Sequence, residues 1–216
     1  MMKILLSRLT LVGYIVMTGG MSVRAQTVSE TDNRIVEKIR VANAIHTSVA
    51  SPFKQTQHLS LLGEDVHSSG RFYYAKPDKL AMLYDDPSGD VMLINGDRFV
   101  MVSGSKKKET SAKNNAQMKS MKTILSACLQ GDATSIGADK ISCGETADAY
   151  IIIAEINGKA NKSNIVKVTL TFEKTTLTLS VLRTEEKDGS YTTYELTDKK
   201  FDQPIDNSIF DPDKKK

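Results

Sequence analysis

Short runs in which apolar and polar residues alternate make up most of the chain. After Pro52, Phe53, Gln55, Gln57 and Leu59 alternate with Lys54, Thr56 and His58. This period of two is typical of a half-buried strand. Turn residues separate the runs, for example Asn95-Gly96, and such closely spaced strands favour an antiparallel sheet. Strands are predicted at residues 53–59, 71–75, 80–84, 91–94, 98–102, 149–154, 166–172, 177–183 and 191–196.

Helical spacing occurs in two places. Ile35, Ile39, Ala42 and Ile45 predict one helix, with cap candidates at residues 31–33. A second helix is predicted over residues 116–129, where Met118, Met121, Leu125 and Cys128 form an apolar stripe that Gly131 ends.

The remaining segments are predicted to be irregular or peripheral. Residues 104–115, with three consecutive lysines at 106–108, are interpreted as an exposed loop. Residues 201–210 are expected to close a sheet edge and residues 211–216 to fray. The order of elements predicts an α+β fold, in which a large curved antiparallel sheet buries its concave face against few helices and leaves a cavity.

The N-terminus has the pattern of a secretory signal. Lys3 precedes a mostly apolar stretch, and Val23-Arg24-Ala25 offers a cleavage site. An uncleaved membrane anchor is the alternative, which Arg8 and the glycines of the stretch disfavour. We therefore predict a cleaved signal peptide at residues 1–25 and a single domain at residues 26–216.

Charge argues against a nucleic acid partner. The signal contains three of the 29 basic residues and none of the 26 acidic ones, so 26 of each sign remain after cleavage. A chain without a basic excess lacks the charge that displaces counterions from a phosphate backbone.

Two cysteines, Cys128 and Cys143, remain in the exported chain. A disulfide between them would stabilise the fold by about 3 kcal/mol. Two free buried thiols are the alternative, because sequence spacing does not show that the two Cβ atoms meet.

Motifs of catalysis are missing from the sequence. It contains no G-x-S-x-G, no H-E-x-x-H, no P-loop and no G-x-G-x-x-G. His58 and His67 would face each other if the hairpin around Gly63 forms, but two histidines make a poor zinc site. We expect no enzyme activity, no metal and no cofactor, with a hydrolase as the least favoured alternative.

Methionine is concentrated in the first half of the predicted domain. Five of the nine methionines follow the signal, and all five lie between residues 82 and 121. Methionine is flexible and polarisable, so it suits a surface that adapts to chains of varying shape. Filling of an ordinary core is the alternative interpretation.

Several motifs together resemble a known family, the periplasmic carriers of outer-membrane lipoproteins (LolA-like). They are Phe53-Lys54-Gln55, the stretch Ser69-Gly70-Arg71-Phe72-Tyr73-Tyr74-Ala75-Lys76-Pro77, Leu80-Ala81-Met82-Leu83-Tyr84, Pro87 and Ile94-Asn95-Gly96-Asp97. The resemblance implies an incomplete antiparallel β-barrel whose helices cover an apolar cavity for acyl chains. It also implies a periplasmic location in a Gram-negative cell.

The resemblance implies a set of site residues. Lys76 stands where the family often has an arginine that latches the lid, and the family's tryptophans are replaced by Tyr73 and Met82. For residues 91–94 the opposite inward phase, with Val91 and Leu93 inside, is the alternative. The expected lipid-binding residues are Phe72, Tyr74, Leu80, Met82, Tyr84, Met92, Ile94, Phe99, Met101, Met118, Met121 and Leu125.

The expected function is to shield acyl chains of lipoproteins and carry them between membranes as a monomer. By resemblance, the partners are acylated lipoproteins, an inner-membrane lipoprotein release complex and an outer-membrane acceptor. A binding or sensing module of the same architecture for another lipid or glycolipid is the alternative.

Overall fold

The computed structural model describes residues 29–113, 115–157 and 164–214. The predicted signal peptide lies outside these residues. Within them, one antiparallel sheet of twelve strands dominates, and the predicted α+β class is confirmed. The elements are α1 (Glu30–Ala44), β1 (Ser48–Leu59), β2 (Glu64–Ala75), β3 (Lys79–Asp86), β4 (Val91–Asn95), β5 (Arg98–Ser103), β6 (Lys106–Ser111), α2 (Ala116–Leu129), β7 (Lys140–Glu145), β8 (Ala149–Glu155), β9 (Ile165–Glu173), β10 (Leu179–Glu186), β11 (Tyr191–Leu196) and β12 (Lys200–Phe201).

Two meanders joined side by side build the sheet. The strand order is β6-β5-β4-β3-β2-β1-β11-β10-β9-β8-β7, and β12 pairs with β1 off this path. Between the described residues of β6 and β7 no pairing closes the sheet, so the barrel is incomplete, as expected. One large apolar cluster fills the concave side and receives side chains from the sheet, α1 and α2.

Both predicted helices are present. α1 begins one turn earlier than its apolar spacing indicated, because Ser29 is the N-cap and its Oγ accepts a hydrogen bond from the Asp32 amide at 3.1 Å. The cap candidates at residues 31–33 were therefore wrong. α2 has the predicted bounds, and Gly131 follows it with a φ of +66°, a conformation that favours glycine at a helix end.

The first strand is longer than predicted, because it starts at Ser48 and contains Pro52. On one side of β1 the partner changes from β12, opposite Ala50, to β11, opposite Phe53. Pro52 lies in the gap between these partners, where its missing N–H leaves no ladder hydrogen bond unmade.

The lysine-rich segment is a strand and not a loop. Residues 106–111 form β6, which pairs with β5 along its whole length at the edge of the sheet. The interpretation as an exposed loop was wrong, because lysines are common on edge strands, where they discourage pairing with another chain. β7 and the two-residue β12 are further strands that the sequence pattern did not reveal.

The C-terminal segment packs against the sheet as far as it is described, to Lys214; residues 215–216 of the expected frayed end lie outside the described residues. Phe210 is buried with 1% of its surface exposed, and the Asn95 side-chain amide donates to its carbonyl at 3.1 Å. Arg98 binds both Glu109, at 2.8 Å, and Asp213, at 3.0 Å. The expectation that residues 211–214 fray was wrong, because these contacts fix the segment to β4, β5 and β6.

No disulfide is formed. Cys128 and Cys143 are free: Cys128 lies fully buried in the core, whereas Cys143 lies on β7, where its amide donates to the Asp32 carboxylate at 2.9 Å. Burial raises the pKa of both thiols, that of Cys143 to about 12. The alternative of two free thiols therefore holds.

Candidate functional site

A cavity of about 480 Å³ lies between the concave face of the sheet and α2. This volume falls within the range of small-molecule binding sites, about 300–1,000 Å³. Its mouth is marked by Val66 and Met101, which are 44% and 47% exposed. The hairpin that carries Val66 ends in Leu61 and Leu62, both exposed apolar side chains.

Side chains of β4, β5 and α2 make one wall of the cavity apolar. Met92 and Phe99 are almost completely buried, and α2 covers them from the opposite side. The residues whose side chains form this wall are Met92, Phe99, Met101, Met118, Met121, Ile124 and Leu125; Val91 and Val102 border the cavity, but their side chains belong to a separate apolar cluster. Because methionine side chains change rotamer easily, the wall suits flexible hydrocarbon chains.

The cavity brings together seven of the twelve residues predicted to bind lipid. These seven are Tyr84, Met92, Phe99, Met101, Met118, Met121 and Leu125. Phe72 and Met82 line a smaller adjoining void of about 20 Å³, which shares Leu125, Leu182 and Tyr194 with the cavity.

The other three predicted residues line neither space. Tyr74, Leu80 and Ile94 are 3–4% exposed and belong to the closed core. The predicted strand phase is nevertheless right for β4: Ile94 packs in the concave cluster, whereas Leu93 packs with Val100 in a separate one.

The opposite wall was not assigned from the sequence. It comes from β1, β2, β9, β10 and β11, and its residues are Gln55, Gln57, Val66, Ser68, Ile165, Leu182, Thr184, Glu186, Thr192 and Tyr194. Alternation along the predicted strands was the available signal, but only pairing decides which alternate set faces the cavity. This wall mixes apolar and uncharged polar side chains with one carboxylate, that of Glu186.

Two tyrosines lie where the two walls meet. The Tyr84 hydroxyl donates to Gln55 Oε1 at 2.8 Å. Burial raises the pKa of Tyr84 to about 12 and also raises the pKa of Tyr194. Both phenols are therefore protonated hydrogen-bond donors at physiological pH.

α2 is fixed over the cavity by two polar contacts with the sheet. Lys122 Nζ donates to the Gly96 carbonyl at 2.7 Å and lies 3.2 Å from the Asp78 carboxylate. Gln130 Nε2 donates to the Tyr74 hydroxyl at 3.0 Å. The sequence analysis missed both residues, because nothing in their local pattern distinguishes them from other polar residues in and next to α2.

The predicted latch residue, Lys76, contacts α1. Its Nζ donates to the Ala44 carbonyl at 2.9 Å, at the C-terminal end of α1, where a cation is favourable. α1 does not line the described cavity. A role for Lys76 in closing the cavity stays a prediction. Lys122, in contrast, belongs to α2, the helix that covers the cavity.

We expect Lys122→Met and Lys76→Met to loosen different helices. Loss of a charge-assisted hydrogen bond at these half-buried sites should cost about 1 kcal/mol of local stability, a factor of about five in amide exchange. Hydrogen exchange should therefore accelerate in α2 for Lys122→Met and in α1 for Lys76→Met. Each variant is the control for the other, and faster exchange of both helices in either variant would contradict the separate roles.

A second groove, on the outer side of α2, does not fit an acyl chain. It has a volume of about 570 Å³, but Lys113, Lys119, Asp97 and Asp132 line it. Such charges keep their water and would be costly to cover with hydrocarbon.

The predicted histidine pair is not formed. His58 lies opposite Asp65 and His67 opposite Thr56 in the β1–β2 register. Their Nδ1 atoms bind those partners at 2.7 Å and 3.2 Å, respectively. Among the residues that the structure describes, no group of three or more His, Cys, Asp or Glu is placed to hold a metal ion.

Comparison with known families agrees with this geometry. The model of the outer membrane lipoprotein carrier protein LolA matches residues 45–213, which include the whole sheet and α2. The chain belongs to the LolA family. Members of this family are binding or carrier proteins and not enzymes, and membership indicates a lipid- or lipoprotein-binding protein.

Similarity to individual proteins is distant. No curated protein matches the chain in sequence. A conserved protein from Thermus thermophilus is 8% identical with a TM-score of 0.50, over 83% of this chain and 93% of that one. A LolA superfamily protein from Nitrosomonas europaea is 12% identical (TM-score 0.43; 84% and 97% covered), and lipoprotein LppX from Mycobacterium tuberculosis is 15% identical (TM-score 0.42; 81% and 98% covered). At such identity the Thermus thermophilus likeness supports the fold alone.

No described helix of this LolA family protein is both long and apolar enough to cross a membrane.

Proposed function

We propose that this LolA family protein is a periplasmic carrier that shields the acyl chains of lipoproteins and ferries them from the inner to the outer membrane. The observation that supports it most is the open cavity of about 480 Å³ with its methionine-rich wall. The carrier receives its cargo from an inner-membrane lipoprotein release complex and delivers it to an outer-membrane acceptor.

Shielding is what an acylated protein needs in an aqueous compartment. Each methylene group exposed to water costs about 0.8 kcal/mol. Even partial burial of a long acyl chain therefore strongly favours the carrier-bound lipoprotein over the lipoprotein free in water. The exposed side chains at the mouth, Val66 and Met101, let a chain enter without unfolding of the sheet.

Release requires that the cavity hold its cargo weakly. The wall is made of flexible side chains, among them the half-buried Met118 and Met121 of α2. The helix that carries them is joined to the sheet by the polar contacts of Lys122 and Gln130. A cover of this kind favours adaptable binding of chains of different length over tight binding of one ligand.

A charge on the inner side of α2 is expected to abolish carriage. Met121 lines the cavity and is half-buried, so Met121→Glu would place a carboxylate against any bound acyl chain. The bound chain would remove water from this carboxylate at a high cost in free energy, whereas in the empty protein the carboxylate stays hydrated and α2 still folds. The purified variant should no longer keep an acylated lipoprotein soluble in a detergent-free pull-down, while its far-ultraviolet circular dichroism is unchanged.

Thr123→Glu is the matched control. Thr123 is exposed on the outer side of α2, two residues away, and the substitution changes the net charge by the same amount. It should carry lipoprotein as the unmodified protein does. Normal carriage by Met121→Glu would refute the proposed site. Mass spectrometry of the cargo bound in cells would separate a lipoprotein carrier from a module for another lipid.

A further inference from the structure

The inner face of the sheet changes from apolar to polar toward the β1–β2 hairpin tip. Along β1 the side chains on the cavity side are Phe53, then Gln55, then Gln57. Phe53 is 2% exposed in the core, whereas the two glutamines are half-buried and line the cavity. Because paired residues share a face of the sheet, β10 and β11 repeat this change, whereas on β2 the apolar Val66 lies opposite Gln57.

Two successive rows across the strands make up the polar part. In the first row Gln55 lies opposite Ser68 of β2 and Tyr194 of β11. In the second row Gln57 lies opposite Thr192, which lies opposite Thr184 of β10. We call these two rows the polar strip; its members are Gln55, Gln57, Ser68, Thr184, Thr192 and Tyr194.

The polar strip has unused hydrogen-bonding capacity. Across the described parts of the chain, the side chains of Gln57, Ser68, Thr184 and Thr192 hydrogen-bond to no other protein group, and Gln55 uses its oxygen alone, as acceptor from Tyr84. Several N–H and O–H donors therefore point into the cavity without a protein partner. A cavity built only for hydrocarbon would lose the hydration of these groups without compensation.

We propose that the polar strip binds the ester and amide carbonyl groups through which the acyl chains of the cargo are joined. The assignment rests on the proposed carrier function and names the part of the cargo that this wall recognises. Its side chains are neutral donors, which suit neutral carbonyl acceptors better than a phosphate or a carboxylate. An acyl chain joined by an ester or an amide carries its hydrogen-bond acceptor, the carbonyl oxygen, at the linked end, and the rest of the chain is hydrocarbon.

The position of the strip sets the direction of the cargo. The small void beyond Tyr194 is lined otherwise by apolar side chains, among them Phe72 and Leu196. Chain ends occupy this deep side, and the linkage lies along the strip near the hairpin tip. The polypeptide of the cargo then leaves the cavity on the side of Leu61 and Leu62.

The test compares two lipids with equal chains and different linkages. Dioctanoylglycerol carries two ester carbonyls, whereas the diether dioctylglycerol carries none. Each would compete with the neutral dye N-phenyl-1-naphthylamine for the purified protein. We expect the diester to bind at least about tenfold more tightly than the diether, as two or three hydrogen bonds would give.

Variants locate the preference on the strip. In Gln57→Leu with Thr192→Val, the diester and the diether should bind with a ratio near one, and the diether should bind no more weakly than to the unmodified protein. Thr193→Val, on the other face of β11 next to Thr192, is the control that keeps the tenfold ratio. Equal affinity of the unmodified protein for both lipids, or a preference that survives the double variant, would overturn the assignment alone. Failure of both lipids to displace the dye would instead contradict the carrier function on which it rests.

Discussion

Gly70→Ala is expected to destabilise the protein by about 3 kcal/mol or more. Gly70 lies in β2 next to a shift in the β2–β3 register, where β3 passes very close to it. A Cβ at this position would come within 2.1 Å of the Leu83 carbonyl oxygen and 2.8 Å of the Tyr84 Cα. Both are backbone atoms, so no side-chain rotation relieves the overlap, and β3 must move away from β2. Urea denaturation, followed by circular dichroism, measures the loss.

The same region carries Tyr84 and the beginning of the cavity wall, so the effect should extend to binding. Gly144→Ala is the matched control, because Gly144 also lies in a strand but a Cβ there meets no atom within 4 Å. Its free energy of unfolding should change by about 0.5 kcal/mol or less. If the two variants unfold at the same urea concentration, the close approach of β3 to Gly70 does not restrict the fold.

Phe210→Ala is expected to cost about 3–5 kcal/mol, as is usual for a fully buried phenylalanine. Phe210 is 1% exposed and belongs to a short 3₁₀ helix, Asn207–Phe210, that packs on β3 and β4. Lys79 Nζ lies 6.0 Å from the centre of the Phe210 ring, and the Asn207 side chain accepts from Lys79 at 3.2 Å. Loss of the ring would leave a void under these contacts and free the whole C-terminal segment.

Ile209→Ala provides the comparison, since Ile209 is only half-buried and loses less contact. We expect a cost of about 1 kcal/mol for it, in proportion to the smaller apolar area that it covers. The free energy of unfolding from urea titration, and the sensitivity of the C-terminus to protease, report both variants. Equal stability of Phe210→Ala and the unmodified protein would show that the segment does not hold the outer face of β3 and β4.

Much of the fold could be predicted, because alternation and turn residues are local signals. Nine of the twelve strands and both helices were predicted from the pattern. β6 was missed because its surface is charged, and its place is set by pairing with β5 rather than by apolar residues. β7 was missed because Ile141 is its only buried side chain, which leaves no alternation to detect.

The candidate site was predicted in part. The residues of β4, β5 and α2 that the pattern marked as apolar, such as Met92 and Met121, do line the cavity. Tyr74 and Ile94 face the same interior but lie where it is filled. Whether an inward side chain meets a neighbour or a space depends on the distance between sheet and helix, which no local pattern contains.

Local patterns in the chain were sufficient to identify the elements that alternate or repeat with helical spacing, the absence of known catalytic motifs and a flexible apolar set of methionines. These follow from properties of each residue and its immediate neighbours. Local patterns did not show which residues enclose the cavity, that Cys128 and Cys143 form no disulfide, or that Gln57 and Thr192 pair in a polar strip. Such outcomes depend on strand register and sheet curvature, which pair residues as far apart in the chain as Gln57 and Thr192.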